Sequence, residues 1–273
     1  MADILLPVGF AVFIWWFSTG LILWLDRLPD TGVRWGLVIS SALAVAALFG
    51  LAHTANQTTA TGAYCAFTCT LIIWGWHELT FLTGWLTGPR RHALAPGTRG
   101  WPRFVQSVRA ILWHELGLLA MGAAVVAVTW GGANPVGLWT FGVLWTMRLS
   151  AKLNLFFGVR NFSEAFLPPH LKYLQSFFRR RRMNAFLPLA VAAASAVTVL
   201  LVLAALDPAL PDGARAGHWL VAALLALAIL EHVLLVLPLE STALWRWAIA
   251  RGDAASAASA AAHHTKEGLV HAR

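Results

Sequence analysis

The sequence predicts an all-α polytopic membrane protein of about seven transmembrane helices, and three observations lead to this fold class. Hydrophobic residues make up 59% of the 273-residue chain and charged residues only 12%, about half the charged fraction of an ordinary soluble domain. Seven apolar stretches each have roughly the 20 residues that span a bilayer as a helix. Basic residues are concentrated in alternate loops, as is typical of multi-span membrane proteins.

The predicted spans follow one another along the chain with short loops between them. The first span runs long and has no small-residue cleavage site after it, so we expect a retained helix rather than a removable signal peptide. The fifth span is the least apolar, because Arg148, Lys152 and Asn154 occupy its last turns. We expect residues 1–250 to form a single transmembrane domain and residues 251–273 a flexible Ala/Ser-rich cytoplasmic tail. The spans are residues 4–25, 35–55, 62–86, 104–130, 136–155, 185–206 and 218–239.

An odd number of spans puts the two termini on opposite sides of the membrane, and the loop charges indicate the orientation. Nearly every basic residue lies in the tail or in the loops after spans one, three and five. The opposite side carries Asp3, Asp207, Asp212 and the single base Arg215. The positive-inside rule therefore predicts that the N-terminus is outside and the C-terminus is cytoplasmic.

A run of four arginines lies between spans five and six. It follows a segment that begins with Pro168 and Pro169 and has apolar residues at helical spacing, which predicts a short basic helix in the cytoplasmic interface. Its arginines would contact anionic lipid headgroups. A basic run beside a span usually anchors the protein to lipid, so the net charge of +8 does not favour nucleic acid as a partner. The four residues are Arg179, Arg180, Arg181 and Arg182.

The tetrapeptide Trp-His-Glu-Leu occurs twice, at residues 76–79 in the third span and at residues 113–116 in the fourth. A reversed pair, Glu231-His232, lies in the seventh span. Ionisable side chains at membrane depth are costly unless they are paired, neutralised or facing a cavity. Three His/Glu pairs in one small membrane protein therefore indicate a site.

Depth along the helices suggests that the three pairs share one layer. At 1.5 Å per residue, His77 and His114 both lie about 14 Å from the cytoplasmic surface, level with each other on a helical hairpin. His232 lies about 10 to 15 Å from the same surface. Arg148 approaches this layer and is the expected counter-charge for a glutamate there; the candidates are Glu78, Glu115 and Glu231.

Several interpretations of this layer remain open. In one, the glutamates and Arg148 neutralise each other and the histidines hydrogen-bond across helices. In another, His77 and His114 are axial ligands of a haem, or one of them ligates the magnesium of a chlorophyll, with Trp76 or Trp113 against the macrocycle. A third is a proton path through the glutamates and histidines.

Two other classes do not match the residues. The ferritin-like di-metal pattern requires Glu-x-x-His pairs, and these spans contain none. A retinal protein requires a lysine in the seventh span for its Schiff base, and the lysines of this chain are Lys152, Lys172 and Lys266.

Four segments of the chain carry a resemblance to a known family. They are residues 74–78, 88–90, 148–161 and 167–174, the last together with the arginine run that follows it. Over about residues 1–250, the chain resembles the PuhE-type photosynthetic complex assembly proteins of phototrophic bacteria. The resemblance implies a multi-pass protein of the bacterial inner (intracytoplasmic) membrane, encoded near the reaction-centre H subunit. It implies no catalytic residue.

The resemblance and the polar layer together predict an assembly factor for the photosynthetic reaction centre and core light-harvesting complex. Such a factor would bind or deliver bacteriochlorophyll through the His/Glu layer, with lipids and reaction-centre or core light-harvesting subunits as partners. One alternative is a pigment-free membrane chaperone that holds subunits against small-residue helix faces. The other is a membrane enzyme or haem protein that acts on pigment or quinone.

Overall fold

The computed structural model describes residues 1–162, 167–237, 241–251 and 254. Within these residues the chain forms seven long α-helices and two short 3-10 helices. The predicted C-terminal tail lies almost entirely outside the described residues. The α-helices are α1 (Ala2–Leu25), α2 (Asp30–Thr54), α3 (Ala60–Leu82), α4 (Gly100–Thr129), α5 (Val136–Phe157), α6 (Phe186–Ala205) and α7 (Asp212–Leu234), and the 3-10 helices are Pro169–Phe177 and Ser241–Trp245.

Each predicted span coincides with one of the seven α-helices. Six of them, all except α5, are long and apolar enough to cross a membrane by length and composition. Helix α5 is 22 residues long, but Arg148, Lys152 and Asn154 lower its apolar character. The fold is therefore that of a polytopic helical membrane protein, and the number of crossings stays a prediction.

Helix α3 lies at the centre of the bundle. It packs against α1, α2, α4, α5 and α7, whereas α6 packs mainly against α7 at the periphery. The main apolar core gathers around α3 and includes Phe67, Ile73, Leu118 and Leu220, all of which are fully buried. This central position explains why α3 carries so many small and polar residues: its neighbours surround it on every side.

Two asparagines cap helices and connect them to the bundle. The Asn134 Oδ1 accepts from the Val136 N–H at 3.2 Å, while its Nδ2 donates to the Thr54 carbonyl at 3.1 Å. The Asn184 Oδ1 accepts from the N–H groups of Phe186 at 2.9 Å and Leu187 at 3.1 Å. Each side chain thus satisfies N–H groups that the first turn of a helix leaves unpaired.

The loop after α3 folds back between α3 and α4. Helix α3 ends at Leu82 rather than at residue 86 as predicted, because the chain reverses at Gly84, whose φ of 80° suits glycine. The part of the loop that returns toward α4 is held there by a hydrogen bond from the His114 N–H to the Thr87 carbonyl, at 2.9 Å. A Cβ at Gly88 would collide with the α4 backbone at Arg109 and Ala110, so this close approach requires glycine.

The predicted interfacial helix is the 3-10 helix Pro169–Phe177, whose apolar residues Leu171, Leu174 and Phe177 are buried. Arg103 of α4 holds the end of this segment: its Nη2 donates to the Phe177 carbonyl at 2.5 Å and to the Phe156 carbonyl at 2.9 Å. The segment is therefore packed into one end of the bundle rather than only resting on it.

Candidate functional site

Two of the three predicted glutamates form ion pairs, and α5 supplies both cations. The Arg148 Nη2 contacts the Glu78 Oε2 at 2.7 Å, and the Lys152 Nζ contacts the Glu115 Oε1 at 2.5 Å. Arg148 and Lys152 are four residues apart, so they lie on one face of α5 and reach α3 and α4 respectively. Glu78 and Glu115 are thus each neutralised by a neighbouring helix.

Sequence reasoning chose Arg148 as the counter-charge but did not assign Lys152 to Glu115. A signal was available: Lys152 lies one turn after Arg148, and Glu115 has the same place in its tetrapeptide as Glu78. Two equivalent acids facing one helix predict two cations at i and i+4 on that helix.

The pair on α7 has a different environment. The His232 Nε2 lies 2.9 Å from the Ser150 Oγ, and its Nδ1 lies 2.8 Å from the Ala228 carbonyl oxygen. The Nδ1–H therefore donates to Ala228, and Nε2 accepts from the Ser150 hydroxyl. The neighbouring Glu231 accepts through Oε1 a hydrogen bond from the Trp15 indole N–H at 3.1 Å. Neither Ser150 nor Trp15 was among the predicted site residues.

His77 and His114 lie together, as the depth argument predicted. Their ring centroids are 6.2 Å apart at an interplanar angle of 84°, and both rings are fully buried. Phe81 contacts the His114 ring with centroids 4.7 Å apart. None of the four ring nitrogens has a hydrogen-bond partner within the described part of the chain.

The two tryptophans of the repeated tetrapeptide differ in their position: the Trp76 ring lies edge-on to the His77 ring, with centroids 4.7 Å apart. The Trp76 indole N–H donates to the Ser41 Oγ of α2 at 2.9 Å. Trp113 is 48% exposed on the outer surface of α4. Trp76 therefore lies beside the histidine pair, whereas Trp113 lies on the outside of the bundle.

A cavity of about 470 Å³ lies between α1, α3, α4, α5 and α7, within the size range of small-molecule sites. Its walls are mostly apolar and aromatic, with Trp15, Trp74, Phe81 and Phe156 among the lining rings. Trp245 lines it as well, and its indole N–H donates to the Trp16 carbonyl at 2.9 Å. Four polar side chains of the predicted layer also line the cavity, together with Lys152; the four are Glu78, Arg148, Glu231 and His232.

The histidine pair and the cavity differ in how well they could hold a tetrapyrrole. A macrocycle between His77 and His114 does not fit this packing, because the rings contact each other and Phe81, and neither lines the cavity. The cavity itself fits better, because it offers aromatic walls and the side chains of Glu231 and His232. The structure thus separates the buried histidine pair from the space where a large ligand would be held.

The four arginines that were predicted to contact lipid headgroups follow the 3-10 helix Pro169–Phe177. Residues Val159 and Arg180 form an isolated parallel β-bridge, which brings Arg160 beside the arginine run. Arg160, Arg180, Arg181 and Arg182 together line one exposed depression. Arg179, the first of the four, donates its backbone N–H to the Leu155 carbonyl at 3.1 Å.

These features define a polytopic helical membrane protein with an internal, aromatic-walled cavity and a polar layer. The chain belongs to the family described as protein of unknown function (DUF3623), whose model matches residues 1–256. It is 40% identical over 240 residues to the "Uncharacterized 30.4 kDa protein in puhA 5'region" of Rhodobacter capsulatus, covering 86% of this chain and 87% of that protein. No solved structure matches the chain.

Proposed function

We propose that this protein is an assembly factor of the photosynthetic reaction centre and core light-harvesting complex, of the PuhE type, and that it accommodates bacteriochlorophyll in its cavity. Two lines of support come from outside the fold: the sequence resemblance, and the relative's description as a protein of the puhA 5′ region. The observation that carries the proposal is the cavity of about 470 Å³ among five helices. In a helical bundle that binds no ligand, side chains are expected to fill such a space.

We also infer that the chain crosses the bacterial inner membrane seven times, with the N-terminus outside. Support comes from α5, which packs beside α3, α4 and α7 and whose two cations are paired with Glu78 and Glu115. Such pairing lowers the cost of placing charges at membrane depth.

Cysteine labelling tests this topology in a chain whose Cys65 and Cys69 are replaced by alanine. A membrane-impermeant maleimide added to whole spheroplasts should label Pro208→Cys and leave Ala95→Cys unlabelled until the membrane is opened. Labelling of Ala95→Cys in intact spheroplasts would overturn the inferred orientation.

Ligand binding is tested by purifying the protein in mild detergent from a pigment-producing host and recording its absorption spectrum. The wild type should retain a near-infrared band. Ala151→Phe, which places a ring in the cavity wall, should remove that band. Ala196→Phe makes the same change at an exposed position of α6 and should leave the band unchanged.

A colourless wild-type protein, or equal pigment in the two variants, would contradict the proposed cavity site. A band reducible by dithionite would indicate haem instead. Yields of folded protein from size-exclusion chromatography show whether either variant lost pigment by misfolding.

The second candidate is a pigment-free chaperone whose polar layer only holds the helices together. The two ion pairs favour it, because neutralised charges at membrane depth can stabilise helix contacts without a ligand. In that case the purified protein is colourless and still co-purifies with reaction-centre or light-harvesting subunits. Ala151→Phe then leaves this co-purification unchanged.

A further inference from the structure

The three glutamates of the polar layer are not equivalent. Glu78 and Glu115 each form an ion pair, with Arg148 and Lys152. Glu231 also lines the cavity, but it forms no ion pair with any described residue, and its one hydrogen bond comes from Trp15. An acid that forms no ion pair at membrane depth is costly, so its presence needs a chemical reason.

The other candidate ligands around the cavity are less accessible. Glu78 also lines the cavity, but its Oε2 is bound to Arg148, and its Oε1, which has no partner among the described residues, is buried. Both ring nitrogens of His232 are engaged, by Ser150 and by the Ala228 carbonyl. His77 and His114 are not in the cavity wall. Glu231 is an exposed residue that lines the cavity, and its Oε2 forms no hydrogen bond with any described residue, because the Trp15 hydrogen bond uses only Oε1. This Oε2 is therefore the carboxylate oxygen of the cavity wall that is most accessible to a ligand.

We propose that Glu231 is the axial ligand of the magnesium of the pigment held in the cavity. This inference rests on the proposed function and names the residue that recognises the metal. Magnesium is a hard cation that prefers oxygen ligands, and a carboxylate oxygen matches it better than an imidazole nitrogen already bound to Ser150. A tetrapyrrole takes its axial ligands from the protein, which thereby sets the position of the ring.

Two neighbours support this role. The Trp15 indole N–H holds Oε1 at 3.1 Å, and such a hydrogen bond to a ligating carboxylate fixes its orientation. Arg148, although it is paired with Glu78, lines the same cavity and also attracts a negative charge on Glu231.

The test is titration of the purified full-length protein with bacteriochlorophyll a and, separately, with the magnesium-free bacteriopheophytin a. Wild type should bind the magnesium pigment more tightly, with a resonance Raman spectrum of five-coordinate magnesium. Glu231→Gln should weaken magnesium-pigment binding by about tenfold or more, and leave bacteriopheophytin binding unchanged. Glu231→His should restore tight binding with the spectrum of an imidazole ligand.

The matched control is Asp212→Asn, which removes a carboxylate from an exposed position of the same helix, outside the cavity wall, and should leave both affinities at their wild-type values. Unchanged affinity and Raman spectrum in Glu231→Gln would overturn the inference while leaving pigment binding in place. If the wild type binds neither pigment, the proposed function fails as well. Binding lost equally for both pigments in Glu231→Gln also overturns it, because a metal ligand must act through magnesium.

Discussion

The two copies of Trp-His-Glu-Leu have the same residues in the same order, yet they lie in different surroundings. The first copy is on α3, the central helix, in a span of which 56% is buried, whereas the span of α4 that carries the second is 17% buried. Both histidines point into the bundle and both glutamates find a cation on α5. The leucines differ in exposure: Leu79 is 2% exposed and Leu116 is 46% exposed.

This difference shows which environments depend on the residue type within the motif and which depend on the position of the helix in the bundle. His and Glu have the same role in both copies, because an ionisable group in a membrane helix must face the protein interior. Trp and Leu are compatible with lipid, so they face whatever lies on the other side of the helix. A repeated motif in a membrane protein therefore predicts equivalent roles only for its ionisable residues, which are costly to expose to lipid.

The largest expected effect concerns the two ion pairs. Arg148→Met should cost about 3 kcal/mol of stability, because it leaves the Glu78 carboxylate, whose side chain is 12% exposed, without its cation. Lys152→Met should cost less, because Glu115 is more accessible, at 22%. Unfolding in detergent by heat or SDS measures both. The double variant Glu78→Gln/Arg148→Met should recover most of the loss, and a larger loss in Lys152→Met would contradict the comparison.

The leucines should show the difference in burial most directly. Leu79→Ala creates a space in the core and should cost about 2 to 3 kcal/mol of unfolding free energy. Leu116→Ala removes a side chain from an exposed surface and should change stability by less than about 0.5 kcal/mol. The same unfolding measurement applies, and equal losses would show that α4 is as enclosed as α3.

The stability of the protein should depend on pH through Asp26, which lies near His170 at the end of α3. The His170 Nε2 lies 2.7 Å from the carbonyl of Leu82, the last residue of α3. His170 also attracts the nearby Asp26 carboxylate, but burial outweighs this attraction and raises the pKa of Asp26 to about 6. Folding therefore favours the protonated acid, and this contribution is present below its ordinary pKa of 3.8 and is lost as the pH rises through about 6.

Asp26→Asn should accordingly stabilise the protein by about 2 kcal/mol above pH 6 and give no gain near pH 4, after allowance for the partial exposure of the carboxyl group. Unfolding curves of both proteins between pH 4 and pH 8 test this. A gain that does not vary with pH would mean that Asp26 does not titrate in this range.

The smallest expected difference is between the tryptophans. Trp76→Phe removes the hydrogen bond to Ser41 and should cost about 1 kcal/mol of stability. Trp113→Phe should cost close to nothing, because that ring is exposed. A double-mutant cycle with Ser41→Ala isolates the hydrogen bond, and an interaction energy near zero in that cycle would show that Trp76 is held by packing alone.

The sequence predicted the seven helices and the level of the His/Glu pairs, because apolar length and helical rise are local properties of the chain. It did not predict the loop that returns to His114, although Gly84 and Gly88 are where such a reversal needs glycine. Nor did it assign Lys152, Ser150 and Trp15 as partners. Helices that are apolar on nearly every side do not reveal which face meets which neighbour.

What the sequence determined by itself is a polytopic helical membrane protein with costly polar residues at one depth, since the bilayer fixes helix length and penalises unpaired charge. Only the tertiary structure decided which of those residues meet. It paired Glu78 and Glu115 with α5, enclosed His77 and His114 outside the cavity, and left Glu231 exposed within it. The physical reason is that depth depends on position along one helix, whereas contact depends on the rotation and packing of several.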